Sequence, residues 1–252
     1  MEAGRRLCEV RAQVDGPAGD RISHLLIRDL LAGARPDDAV LSEEGLDDEE
    51  RQSAQRVWIV DPVDGTREFA EAGRVDWAVH VALWARRPDG SRQGQGSGGG
   101  DSPASGGDLV AGAVSLPAEN LVFSTAEAPV VPPPVYGSRL RMVVSRSRPP
   151  ALVGAVAAAL DMEVVPHGSA GAKAMEVVRG RADAYLHAGG QYEWDSAAPV
   201  AVARAAGLHA SRIDGSPLLY NRPDPLLPDI LVCRPELAAA LLEAIAATAR
   251  EA

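Results

Sequence analysis

Apolar spacing divides the chain into a first half, where long strands follow two helices, and a second half, where strands and helices alternate. Residues 4–13 are predicted to form the first helix. Residues 20–34 form a second, with Ile22, Leu25, Leu26 and Leu30 at helical spacing before Gly33 and Pro36 end it. A short apolar segment at 39–41 leads into an acidic turn, and runs at 57–60, 77–84, 109–116 and 120–124 read as strands. The Gly/Ser-rich tract 88–108 has no periodicity and is predicted to be a flexible hairpin loop. Its Gly94, Gly96 and Gly99 match a dinucleotide-binding spacing, but no helix follows to receive a pyrophosphate, so the match is rejected.

The proline cluster 129–134 can continue neither a helix nor a central strand and reads as a linker. Beyond it, strands at 140–144, 163–166 and 184–186 alternate with helices at 150–160, 170–179 and 195–206. A strand at 230–233 and a helix at 235–250 close the chain. Such alternation predicts an α/β unit, and the linker sets the two units at 1–134 and 135–252.

The strand at 57–60 runs into Asp61, Pro62, Val63, Asp64, Gly65 and Thr66. Two carboxylates three residues apart, with Pro62 fixing the backbone between them, repel each other unless something positive sits beside them. Magnesium suits such a site, because it takes oxygen ligands and shares its remaining positions with water and substrate phosphate. Gly65 lets an anion approach the backbone, and the N–H groups after it face that anion if they open a helical turn. Two further acidic motifs lie at element boundaries: Glu43-Glu44 after the 39–41 segment, and Asp195 at the head of an alanine-rich helix. Brought together, Glu43, Asp61, Asp64 and Asp195 make a pocket whose charge only divalent cations could offset.

Composition sharpens this picture. A formal net charge of −10, without a cluster of Lys and Arg, excludes a nucleic-acid polymer or an anionic membrane surface as partner. A small anionic substrate is then held by bound cations and a few placed basic groups. No apolar run is long enough to span a membrane and no basic, then apolar, leader opens the chain, so the cytoplasm is the expected compartment. Cys8 and Cys233 stand among apolar neighbours and read as buried thiols. The histidines at 24, 80, 167, 187 and 209 show no metal-ligand spacing and read as structural or surface residues. Lys173 is the single lysine against 24 arginines, which suggests a place where a slim ammonium fits and a guanidinium does not.

Glu43-Glu44, the run from Asp61 to Thr66, and Trp194-Asp195-Ser196-Ala197-Ala198 followed by Ala206-Gly207 resemble, in order and spacing, the three signatures of the inositol monophosphatase superfamily. Arg67-Glu68-Phe69 and the run from Val143 to Arg148 resemble its 3′(2′),5′-bisphosphate nucleotidase branch, of the kind found in actinobacteria. The resemblance runs through nearly the whole chain. It implies a layered αβαβα sandwich, of mixed α+β and α/β character, with the metals in a cleft between the two units. It also implies a longer first helix, so that Met1 starts partway into it.

Roles follow from the resemblance. Glu43, Asp61 and the Val63 carbonyl would hold a first magnesium, whose water attacks, and Asp61, Asp64 and Asp195 a second, with Glu44 near a third. Thr66, hydrogen-bonded to an acid near Glu43, would orient that water, while the Gly65 and Thr66 N–H groups bind phosphate. Lys173, with Ser169 before it at a spacing one residue longer than in other branches, would contact the non-reacting phosphate. Ser145, Arg148 and His187 would face the nucleotide. The expected reaction is removal of the 3′-phosphate of 3′-phosphoadenosine 5′-phosphate or its phosphosulfate, in sulfate assimilation. An inositol or fructose bisphosphate phosphatase and a silent phosphometabolite or cation sensor stand as alternatives, and a homodimer is left open.

Overall fold

The computed structural model describes residues 1–88, 106–134 and 137–251. Two helices come first, α1 (Glu2–Val10) and α2 (Gly16–Ala34). The second begins four residues earlier than its apolar spacing suggests, because Asp15 caps it by accepting from the Ala18 N–H and Pro17 sits in its first turn. Strands β1 (Ala39–Ser42), β2 (Arg56–Asp64), β3 (Ala78–Arg86), β4 (Gly107–Leu116) and β5 (Leu121–Ser124) make one sheet in that order, with the short helix α3 (Thr66–Ala70) between β2 and β3. β1 and β2 are parallel and the other pairs antiparallel.

β2 is more than twice as long as predicted, nine residues in place of four. It runs through the acidic motif itself, and the pairing with β3 slips between Asp61, opposite His80, and Asp64, opposite Ala78. Pro62 has no N–H to give the ladder, and such an irregularity re-aims the side chains around it. The hairpin loop expected at 88–108, with its glycine pattern, lies outside the described residues over 89–105; its flanks are the paired ends of β3 and β4.

The second sheet is built from β6 (Arg141–Ser145), β7 (Glu163–His167), β8 (Ala184–Tyr192), β9 (His209–Ser211) and β10 (Leu226–Cys233), in the order β7-β6-β8-β10-β9. β6 runs parallel to both β7 and β8, whereas β10 is antiparallel to β8 and β9, so the second sheet is mixed. β8 is three times its predicted length, since Gly189 and Gly190, with φ of 114° and 90°, disguise its second half. Helices α4 (Val153–Ala159), α5 (Ala170–Val178), α6 (Glu193–Ala205) and α7 (Ala238–Glu251) complete the chain. The last is preceded by a separate turn at Pro235–Leu237, which takes the first residues of the predicted closing helix.

Five layers result. α1 and α2 cover the outer face of the first sheet through Leu7, Ile27, Val60, Phe69 and Trp77. α5 and α6 fill the space between the sheets, where Trp84, Val114, Met175, Val200, Ile230 and Val232 form the largest core. α4 and α7 cover the far face of the second sheet around Met142, Leu231, Leu241 and Ile245. The alanines of α6 allow a close approach: a Cβ on Gly112 of β4 would stand 2.6 Å from that of Ala201. This sandwich is the layered architecture expected. One local expectation fails, for Cys8 is exposed; it follows the buried Leu7 on α1 and so faces outward, whereas Cys233 is buried.

Candidate metal and phosphate site

A cleft of about 610 Å³ opens where the end of β2 meets the first turns of α5 and α6. Glu43, Asp64, Gly65, Thr66, Ser145, Arg148, Ser169, Lys173, His187 and Asp195 all line it. Asp61 and Val63 lie beneath its floor, both wholly buried. Carboxylate oxygens of Asp61, Asp64 and Asp195 come within 4.8 Å of one another. Glu43 stands beside this trio, close enough for the charges of Asp20, Asp195 and Asp64 to act on it, but is not within the same tight group.

Asp61 has no exposure, and neither of its carboxylate oxygens has a hydrogen-bond partner. Burial, then the charges of Asp64 and Glu43, pushes its pKa far above the usual carboxylate range. Asp195 is raised to about 6, by burial and then by Asp64, although its carboxylate accepts from the Tyr192 N–H at 2.6 Å to cap α6. Solvent reaches Glu43, yet partial burial of its carboxyl, followed by Asp20 and Asp195, pushes it up. An orphaned acid beside two others is what oxygen-seeking divalent cations resolve, and the residues present fit such an ion.

Asp64 behaves in the opposite way. Burial alone would raise it, but His80 and Lys173 outweigh that and hold it below the usual range. His80 Nε2 lies 3.2 Å from Asp64 Oδ2, the Gly171 N–H donates to the same oxygen at 2.7 Å, and the Ser169 hydroxyl donates to it as well. Part of the positive charge that the acidic pair needs is therefore the protein's own. Ser169 lines the cleft and has a role there that its sequence position does not reveal. Its hydroxyl holds Asp64 and caps α5 by accepting from the Ala172 N–H, at a backbone φ of 48°.

Gly65, with φ of 88°, turns the chain from β2 into α3. Thr66 Oγ1 lies 3.1 Å from Asp20 Oδ2 and 3.2 Å from the Val63 carbonyl. The acid partnering Thr66 is thus on α2, near Glu43 in space but 23 positions before it in sequence. Lys173, on α5, is 5% exposed, donates to the Ser169 and Gly168 carbonyls at 2.6 and 3.3 Å, and lies 5.2 Å from the Tyr185 ring centre. Burial lowers its pKa to about 8. Arg148 is exposed, its N–H donating to the Ser145 hydroxyl, and His187 faces the Gly190 carbonyl at 3.1 Å. Arg146 crosses the cleft to Glu68 and Glu71 at 2.8 and 3.1 Å.

A sequence model described as the inositol monophosphatase family matches residues 17–87 and 104–251, which include every residue of this cleft. The chain belongs to the inositol monophosphatase family. Solved structures share its fold: Mycobacterium tuberculosis SuhB, 25% identical, superposes with a TM-score of 0.70 over 98% of this chain and 92% of its own. An inositol monophosphatase from Anabaena, 20% identical, reaches 0.74 over 98% and 91%. Among family relatives, a Mycobacterium bovis protein named 3′-phosphoadenosine 5′-phosphate phosphatase is 49% identical, covering 97% of this chain and 90% of its own length. The Escherichia coli 3′(2′),5′-bisphosphate nucleotidase CysQ is 33% identical over 81% and 78%.

Asp20 and His80 were not legible as site residues. A polar residue on an amphipathic helix looks solvated, and a histidine inside an apolar strand looks like core; only the pairing of His80 with Asp61 across β2 and β3 reveals it.

Proposed function

We propose that this phosphatase removes the 3′-phosphate from 3′-phosphoadenosine 5′-phosphate, and from its 5′-phosphosulfate counterpart, in a magnesium-dependent reaction serving sulfate assimilation. The observation that carries the reading is the convergence of Asp61, Asp64 and Asp195, with both Asp61 oxygens buried and without a hydrogen-bond partner. The substrate is inferred from relatives at 49% and 33% identity that carry nucleotidase names.

Glu43, Asp61, Asp64, Asp195 and the Val63 carbonyl would hold two or three magnesium ions. Bound there, such ions lower the pKa of a water and offset charge on the attacked and leaving oxygens. Thr66, held against Asp20, orients the attacking water, and the Gly65 and Thr66 N–H groups face the phosphate. Lys173 spends two of its three donors on carbonyls and keeps one for the remote phosphate. Ser145, Arg148 and His187 line the wall that the nucleotide would occupy. The cytoplasm is the proposed compartment, in keeping with two free thiols.

The test is phosphate release from 3′-phosphoadenosine 5′-phosphate, inositol 1-phosphate and fructose 1,6-bisphosphate in magnesium, with EDTA as control. The reading predicts the highest kcat/KM for the adenosine bisphosphate and none in EDTA. A preference for either sugar phosphate, or metal-independent release, would overturn it.

A further inference from the structure

A buried polar network lies outside the lining of the cleft. Arg51, in the single turn Glu49–Gln52, is 1% exposed. Its guanidinium grips Asp47 with two bonds, Nε to Oδ1 at 2.6 Å and Nη2 to Oδ2 at 3.0 Å. Nη1 donates to Asn221 Oδ1 at 2.7 Å, and Nη2 reaches the Arg222 carbonyl at 2.8 Å. Asn221, 3% exposed with φ of 57°, gives its own N–H to Glu193 Oε2 at 2.6 Å, and the Arg222 N–H goes to Glu193 Oε1 at 2.9 Å. Glu193, 1% exposed, is the first residue of α6.

Each end of this chain of contacts lies close in sequence to a residue of the acidic site. Asp47 lies four residues after Glu43 in the loop that follows β1, and Glu193 lies two residues before Asp195. Glu43 and Asp195 reach the acidic cluster from separate elements and feel each other's charge. Glu43 follows the last residue of β1 and extends its pairing with β2 by one long backbone bond, its N–H to the Val60 carbonyl at 3.4 Å, so the loop after it sets how its side chain is held. A buried guanidinium with four short, directed bonds is a costly group to place merely as filler: two of the bonds brace its own loop through Asp47, and two tie that loop to Asn221 and Arg222.

We propose that Arg51 is a positioning residue for the metal-binding carboxylates: through Asn221 and Glu193 it fixes the loop bearing Glu43 against the first turn of α6 bearing Asp195. The inference rests on the metal-site reading above. It makes cation affinity depend on residues that never touch the cation, because a fixed separation of Glu43 from Asp195 spares the ion the ordering of a loose ligand.

The experiment measures manganese binding to the full chain by electron paramagnetic resonance, in wild type, Asn221→Gly and Arg51→Met, each also combined with Glu43→Gln. Glycine keeps the positive φ at position 221 while deleting the amide, so this variant tests the network even if Arg51→Met does not fold. The dissociation constant should rise about tenfold in Asn221→Gly, the size found when partners of metal ligands are removed. In the Glu43→Gln background the same change should shrink to about twofold, since the ligand being positioned is already gone. A rise below about threefold, or an equal rise in both backgrounds, would overturn the positioning role and leave a structural one. Failure of the wild type to bind manganese would overturn the metal-site reading itself, and the positioning role with it.

Discussion

Thr66 Oγ1 lies 3.1 Å from Asp20 Oδ2, so one hydroxyl ties α2 to the turn that ends β2. The threonine has a single proton and two acceptors at hand, Asp20 and the Val63 carbonyl. Donating to either leaves its oxygen lone pairs for a water in the cleft. Burial raises Asp20 to about 7, against the effect of the Thr66 bond, so this partner is itself held in a poorly solvated place.

Thr66→Val keeps the shape of the side chain and deletes the hydroxyl. We expect kcat to fall by about 10²-fold or more, the scale of a lost proton-handling group, with KM little changed. Steady-state kinetics on the adenosine bisphosphate check this; a loss confined to KM would remove Thr66 from the chemistry.

Asp64 and Asp195 should part company in stability while agreeing in activity. Either change to Asn deletes a cation ligand and should reduce turnover by orders of magnitude. In EDTA at pH 7, Asp195 is ionised, above its value of about 6, and carries the penalty of burial and repulsion in full. Asp195→Asn should therefore leave the melting temperature unchanged or raise it. Asp64 is favoured as the anion by His80, Lys173 and Ser169, so Asp64→Asn should destabilise, by about 1–3 kcal/mol for a lost charged hydrogen-bond acceptor. Scanning calorimetry of the two metal-free variants decides it, and equal shifts would contradict the assignment of opposite electrostatic settings.

Gly171 is the backbone counterpart of His80. A Cβ there would overlap His80 Nε2, and the Gly171 N–H is one of the bonds holding Asp64. Gly171→Ala should cost about 1–3 kcal/mol by overpacking and should weaken metal binding at the same time, because His80 and Asp64 move together. The cost of Gly171→Ala should shrink in a His80→Ala background, as a double-mutant cycle by chemical denaturation would show.

Most of the layering was legible, because helical and strand periodicities survive in the segments that face a continuous core, such as Leu7 and Ile27 or Val57 and Ile59. The acidic motifs were legible too, since Asp61 and Asp64 sit within four residues of chain. What escaped were partnerships set by long-range pairing. An acid beside Thr66 was expected but not that it is Asp20; this pair, Asp64 with Ser169 and Arg51 with Asn221 join residues 46, 105 and 170 apart, and nothing local announces which residues meet. Strand β8 was cut short for a different reason: its glycines adopt positive φ inside the sheet, which apolar alternation cannot register.

The nucleotidase reading is tested most directly by the ratio of kcat/KM for 3′-phosphoadenosine 5′-phosphate to that for inositol 1-phosphate, in wild type and Lys173→Ala. The ammonium of Lys173 is intact below about 8 and lost above it, so the wild-type ratio should fall as pH rises through that value. Lys173→Ala should lose about 1.5–3 kcal/mol of transition-state stabilisation for the bisphosphate alone, the worth of a charge-assisted hydrogen bond, and should flatten that pH limb. Misfolding or lost metal would depress both substrates alike. A selective loss is the predicted result; equal losses, or a wild type that prefers inositol 1-phosphate, would contradict the account.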